Sequence, residues 1–251
     1  MDHLDLIRLA AQLLTRFPVT KGVDYTPEKD AQSVGYYPAI GLLVGIVAAA
    51  AFAAMAALLN PALAAVAAVA VAALVTGGLH EDGLADTADG IGGGQTRERA
   101  LEIMRDSRIG VYGAIALILV LVGKIMALAS MPLWLGAAAL IAGHGLSRWS
   151  MVLVMATADY QRESGAGTNV AGKVSVPSHV IAGTSALIGV VLVAVIVSPL
   201  AALGALVGLL VAHGLVRAFF QPKLKGYTGD CLGATQQISE LGVYLGVLAG
   251  L

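Results

Sequence analysis

The sequence is short of charge: Asp, Glu, Lys and Arg together make up 12% of its 251 residues, against roughly 25% in a soluble globular domain. Water is therefore not its main solvent. It is also short of cysteine. The single Cys231 closes no intramolecular disulfide, so the fold needs no oxidising compartment and the thiol is expected to be inert. Net charge is −1 and no Lys/Arg block occurs, which excludes nucleic acid as an expected partner. The segment Met1-Asp-His-Leu-Asp-Leu-Ile-Arg8 lacks the basic start, apolar centre and small-residue cleavage site of a signal peptide. Targeting is expected to come from internal apolar segments.

Those segments are abundant, since 58% of the residues are hydrophobic. Runs long enough to cross a bilayer, about 20 residues each, lie at 35–59, 61–79, 110–130, 132–156, 179–197, 199–217 and 232–251. The expected architecture is an all-α, polytopic bundle of seven spans forming one integral membrane domain over 1–251. Three short turns, Asn60-Pro61, Met131-Pro132 and Ser198-Pro199, join the first six spans into hairpins, each with a proline where a helix can begin without its missing N–H. Of the 15 Lys and Arg residues, 13 lie in 1–34, 80–109, 157–178 and 217–231, all on one side, and the three turns carry none. The positive-inside rule makes that side cytoplasmic. Residues 4–17 are too short and too charged to span, but their apolar residues recur at helical spacing, as in a helix lying on the inner leaflet. A weak repeat relates His144-Gly-Leu-Ser-Arg148 to His213-Gly-Leu-Val-Arg217, with Gly-Leu-His80 ending the corresponding helix of the first hairpin.

The sharpest motif is Gly77-Gly-Leu-His-Glu-Asp82-Gly-Leu-Ala-Asp86-Thr-Ala-Asp89-Gly90. At roughly 100° per residue, Asp86 and Asp89 fall about 40° and 20° to either side of Asp82, so one helical face presents three carboxylates. Such like charges repel. A divalent ion relieves the repulsion, and Mg²⁺, or Mn²⁺ in its place, takes one or two carboxylates and completes its shell with water and substrate phosphate. The alternative is a solvated acidic helix end. Gly90-Ile-Gly-Gly-Gly94 follows, either a flexible turn or a backbone cradle for phosphate. Arg97, Arg99, Arg105 and Arg108, with Asp106 and Ser107, come next; their guanidinium forks suit phosphate oxygens, although basic residues here also serve topology alone.

Further along, His144 with Arg148 and His213 with Arg217 are i,i+4 pairs near helix ends, read as contacts for an anionic substrate or as hydrogen-bonded core residues, with Arg217 also placed to snorkel. Lys124 is read as snorkelling to the outer surface. The polar stretch Arg162–Asn169 is a candidate cover for a ligand. Asp230 reads as the N-cap of the last span and alternatively as a carboxylate supplied from across the site. Glu240, inside that span, needs a partner.

Four blocks, Thr15-Arg-Phe-Pro-Val19, Gly77–Gly90, Arg97-Glu-Arg-Ala-Leu-Glu-Ile-Met-Arg-Asp-Ser-Arg-Ile-Gly110 and Thr228-Gly-Asp-Cys-Leu-Gly233, resemble those of the cobalamin synthase (adenosylcobinamide-GDP ribazoletransferase) family. Glu81 departs from the apolar residue usual there. The resemblance implies a membrane phosphotransferase that joins adenosylcobinamide-GDP to α-ribazole or its 5′-phosphate and releases GMP. It also implies that Asp82, Asp86 and Asp89 hold metal, that Asp230 is a further candidate ligand, and that Arg105 and Arg108 bind phosphate. His80 is a base candidate by proximity. Expected partners are these substrates and the lipid bilayer, with an oligomer or pathway complex left open. A CDP-alcohol phosphotransferase or an intramembrane prenyltransferase would need further aspartate motifs that the sequence lacks. A transporter would place its ionisable groups nearer mid-bilayer, and a bare membrane anchor leaves the aspartates unexplained.

Overall fold

A computed structural model describes residues 3–19, 23–162 and 174–251. The chain is an all-α polytopic bundle. Its first helix, α1 (His3–Leu14), buries Leu6, Leu9, Ala10 and Leu14 and exposes Leu4 and Ile7, the two-faced pattern expected of the short N-terminal helix. Helix α2 (Pro27–Ser33) runs through one 3₁₀ turn into α3 (Tyr37–Ala56). The Asn60-Pro61 turn then starts α4 (Pro61–Thr76): the Asn60 side chain accepts a hydrogen bond from the Leu63 N–H at 3.0 Å, and Pro61 fills the first helical position. The Ser198-Pro199 turn works alike, with Ser198 Oγ accepting from the Ala201 N–H at 3.0 Å.

Helix α4 stops at Thr76, three residues short of expectation, and α5 (Leu79–Gly93) leaves it at 90°. A short α6 (Arg97–Ile103) precedes the hairpin of α7 (Val111–Ala129) and α8 (Leu133–Thr157). The third hairpin joins α9 (Val176–Ile196) to α10 (Pro199–Leu224), and α11 (Gly229–Ala249) closes the bundle. Helix α10 continues seven residues beyond the expected end, so Arg217 lies within it rather than at its terminus.

Among the described residues five helices are long and apolar enough to cross a membrane, six if the bent pair α4–α5 forms one span. The polytopic bundle is as expected, with five or six of the seven expected spans meeting that length and composition. Helix α11 exists but falls outside that set, because it carries Thr235, Gln236, Gln237, Ser239 and Glu240, all buried. It packs against α5, α7, α8 and α10, so lipid never meets this polar row. The contact with α10 pairs Gly204 and Gly208 with Gly242 and Gly246, small residues four apart that let two backbones touch where lipid supplies no hydrophobic drive. Gly41 and Gly45 of α3 do the same against α8, where a Cβ on Gly41 would stand 2.8 Å from Arg148 Cδ.

Candidate active site

The position of α5 follows from two glycines. Gly77 and Gly78 have φ of 68° and 72°, a region that strains any other L-residue. The Gly78 N–H bonds back to Ala73 O at 2.8 Å, closing α4 while the chain turns into α5. Helix α5 then crosses the start of α11 at van der Waals distance: a Cβ on Gly83 would lie 2.8 Å from Asp230 O, and one on Gly233 3.0 Å from Gly83 Cα. This crossing sets Asp82 and Asp86 beside Asp230.

Asp82 is exposed and Asp86 half-buried, and neither has a hydrogen-bond or ion-pair partner among the described residues. Asp86 feels Asp230, Asp82 and Asp89 as like charges, with Arg162 opposing them. Asp89 differs. It is buried, and its two oxygens accept the N–H groups of Gly110 at 2.7 Å and Gly113 at 2.9 Å. It thereby fastens the first turn of α7, whose free N–H groups and dipole favour an anion. The expected triplet is thus a free pair and an anchored third. Among the described residues no group of three or more His, Cys, Asp or Glu side chains is placed to hold a metal ion.

A cleft of about 190 Å³ opens beside the pair. Its polar lining is His80, Asp82, Arg162 and Asp230, and its apolar wall comes from Leu13, Leu14, Tyr37, Met151 and Met155. Arg162 NH2 pairs with Asp230 Oδ2 at 2.6 Å and donates to Met104 O at 3.2 Å, while its buried Nε has no hydrogen-bond partner among the described residues. Burial pushes the Asp230 carboxyl, in the capping turn ahead of the apolar part of α11, above its ordinary value, and Arg162 works against that shift. Asp230 is not the cap: Thr228 is, accepting from the Cys231 N–H at 3.4 Å. His80 is buried, and its Nε2 has no hydrogen-bond partner among the described residues. Sequence reading placed Arg162 only in a polar loop, because its partner lies 68 residues away. The candidate cover it begins, residues 163–169, lies outside the described residues.

The arginines of α6 and the segment after it are mostly committed elsewhere. Arg97 donates to Leu224 O at 3.0 Å and to Gln161. Arg99 pairs with Glu102 at 2.7 Å on the surface. Arg108 grips Asp106 in a fork, at 2.6 Å at its shortest, and holds that carboxyl at about 2, so the two charges cancel at working pH. Arg105 and Ser107 are exposed, and Arg105 has no partner among the described residues. A second opening of about 340 Å³ is lined by Asp89, Arg99, Glu102, Asp106 and Arg108. Three carboxylates against two guanidiniums do not attract an anion. Gly90–Gly93 belongs to α5, and the Gly94 N–H bonds to Gly90 O at 3.0 Å, so the expected phosphate cradle or flexible turn is instead a helix end. Gly90 has a packing role there, against Ala100 and Met104.

Glu240 has its partners. Lys124 Nζ lies 3.0 Å from it, His144 Nδ1 3.3 Å, and Gln236 and the Tyr244 hydroxyl donate to it at 2.6 and 2.8 Å. Lys124 is therefore buried rather than snorkelling: a charge facing Glu240 across the bundle has no need of the surface. Gln237 accepts from Lys124 at 2.7 Å and donates to Glu81 at 2.9 Å, which carries the network to the residue before Asp82. Arg148, fully buried, donates to His144 O at 2.9 Å, and the pair sits in the core beside Glu240 rather than in the lining of the cleft. His213 bonds to Ser150 at 2.8 Å, and Arg217 bonds to Gln221 and Thr157, both at 2.8 Å; neither lines the cleft.

Comparison with known proteins gives the family. The family described as cobalamin-5-phosphate synthase matches residues 6–248. A relative from Polaromonas sp. (strain JS666 / ATCC BAA-500), named adenosylcobinamide-GDP ribazoletransferase, is 38% identical over 97% of this chain and 96% of its own. A relative of the same name from Shewanella halifaxensis is 41% identical over 97% and 94%, and one from Vibrio cholerae serotype O1 is 34% identical over 99% and 95%. No solved structure matches the chain. A match that runs almost from end to end, through the Gly77–Gly90 turn, the α5 carboxylates and the Thr228 cap, shows that the chain belongs to the cobalamin-5-phosphate synthase family.

Proposed function

We infer that this chain carries out the reaction for which its relatives are named, transferring the adenosylcobinamide phosphate moiety from adenosylcobinamide-GDP to α-ribazole or its 5′-phosphate and releasing GMP. The observation that carries this reading is a pair of carboxylates without partners among the described residues, Asp82 in the lining of a cleft whose other wall is apolar and Asp86 one helical turn further along α5. A diphosphate joined to a large hydrophobic group needs both surfaces. The donor set also suits Mg²⁺ or Mn²⁺: two oxygen ligands without competing hydrogen bonds, with the remaining positions left to water and phosphate. Asp82 and Asp86 would hold the ion, and Asp89 would fix the helix that presents them. When bound, such an ion neutralises charge on the phosphoryl oxygens.

The chain's own contribution is placement. Glycine crossings hold α5 against α11, the apolar wall excludes water, and His80 Nε2 stands buried beside the cleft without a partner among the described residues. In the reaction the acceptor hydroxyl oxygen bonds to the phosphorus nearest the corrinoid side chain, the bridging P–O bond breaks, and GMP leaves with the electron pair. His80 is the group available to accept the hydroxyl proton. The excess of Lys and Arg on the site's side supports a cytoplasmic site in a bacterial cytoplasmic membrane.

Purified protein given the GDP-activated corrinoid and α-ribazole should release GMP only with divalent metal. Asp82→Asn and Asp86→Asn should each lower kcat at least about 100-fold, the scale of losing a preorganised electrostatic group. Full activity in either variant contradicts the assignment.

A further inference from the structure

We propose that Arg162 is the arginine that grips the donor's diphosphate, in place of the arginines between Arg97 and Arg108. This deepens, and rests on, the proposed function. Among the described residues lining the cleft beside Asp82, Arg162 is the one cation. It sits within electrostatic reach of Asp86, and among the described residues its guanidinium is only partly engaged: NH2 serves Asp230 and Met104 O, whereas the buried Nε has no partner there. A buried donor left open costs free energy until an acceptor arrives. The charges fit the same sequence of events. Asp82, Asp86 and Asp230 against Arg162 leave the empty site net negative, which draws a divalent cation first. A bound divalent cation brings these charges to neutral, so the repulsion of an anion is lifted and the planar fork of Arg162 has donors for incoming phosphate oxygens. The Asp230 contact holds the guanidinium in place beforehand, so little side-chain entropy is lost on binding. The competing arginines lack this setting. None of them lines the cleft beside Asp82: Arg97 is spent on Leu224 O, Arg99 and Arg108 pair with Glu102 and Asp106 at the second opening, and Arg105 lines neither opening.

The test is calorimetric binding of GDP with Mg²⁺ to the full-length protein in detergent, with the KM for the GDP-activated corrinoid measured in parallel. Arg162→Met should weaken MgGDP binding about 10- to 100-fold, the usual worth of a charge-assisted hydrogen bond, and raise KM with it. Arg162→Lys should recover part of the loss. Arg105→Met and Arg108→Met should stay within about twofold of the parent. If Arg162→Met does not melt cooperatively, Arg162→Gln keeps donors toward Asp230 and Met104 O and should still show the loss, which separates ligand binding from folding. Parental MgGDP affinity in Arg162→Gln, or no MgGDP binding by the parent, overturns the proposal. A parent that binds MgGDP through Arg162 but releases no GMP from the corrinoid donor would instead overturn the proposed reaction and leave this assignment standing.

Discussion

Three aspartates spaced four and three apart look equivalent on a helical wheel, yet they have different work. Asp82 and Asp86 keep free oxygens, while both oxygens of Asp89 are taken by Gly110 and Gly113. Their substitutions should therefore divide by readout. Asp89→Ala leaves two buried N–H groups unpaired, at about 1–3 kcal/mol each if water does not replace the carboxylate. It should lower the melting temperature clearly, whereas Asp82→Asn and Asp86→Asn should leave melting near the parent's and remove turnover. A stable, inactive Asp89→Ala protein would return Asp89 to the metal site. The wheel could place the three carboxylates on one face because that depends only on helical spacing. It could not show which would be claimed, because the claimant is the start of α7, more than 20 residues away. Arg162 was obscured for the same reason.

At the scale of elements, the buried network of α11 is the structure's main polar investment. Lys124 and Glu240 are both almost fully buried and 3.0 Å apart. Removing one partner leaves an uncompensated charge, so Lys124→Met or Glu240→Leu alone should destabilise by about 3–5 kcal/mol, and the double substitution should recover much of that. Thermal melts of the two single variants and the double variant give the coupling directly. Additive losses would mean that the two charges are balanced by other groups. The glycine crossing offers a second element-level test. Gly83→Val has no room against Asp230 O and should separate α5 from α11, lowering activity more than about tenfold while the remaining helices stay folded by circular dichroism. Hairpin turns were legible because Asn60-Pro61 and Ser198-Pro199 carry their caps within two residues. The right-angle turn at Gly77-Gly78 was not, since hydropathy continues through Thr76 and counts residues without seeing φ. The polar row of α11 was legible as a buried Glu240 in need of a partner, but not its partners, which come from α7 and α8 far off in sequence.

For the whole molecule, the apolar composition and the short proline turns made a polytopic helical bundle readable, and the family blocks made its chemistry readable. By length and composition five or six helices qualify as spans where seven were expected, because α4 stops at Thr76 and α11 carries a polar row. Orientation remains open to a simple experiment, because Cys231, the chain's single cysteine, is fully buried. The parent should not react with a membrane-impermeant maleimide in intact cells or inverted vesicles. Ser107→Cys should label in inverted vesicles alone, and Asn60→Cys in intact cells alone. The reverse pattern would put the site on the outer face.

The central claim is that two carboxylates of α5 hold a divalent ion against a diphosphate. Its most direct test is GMP release from the GDP-activated corrinoid by the purified protein, titrated with Mg²⁺ in the parent and in Asp86→Asn. The account predicts no release after chelation, saturable recovery with Mg²⁺ in the parent, and at least about 100-fold lower release in the variant at any Mg²⁺ concentration. Release that persists under chelation, or parental turnover in Asp86→Asn, would contradict it.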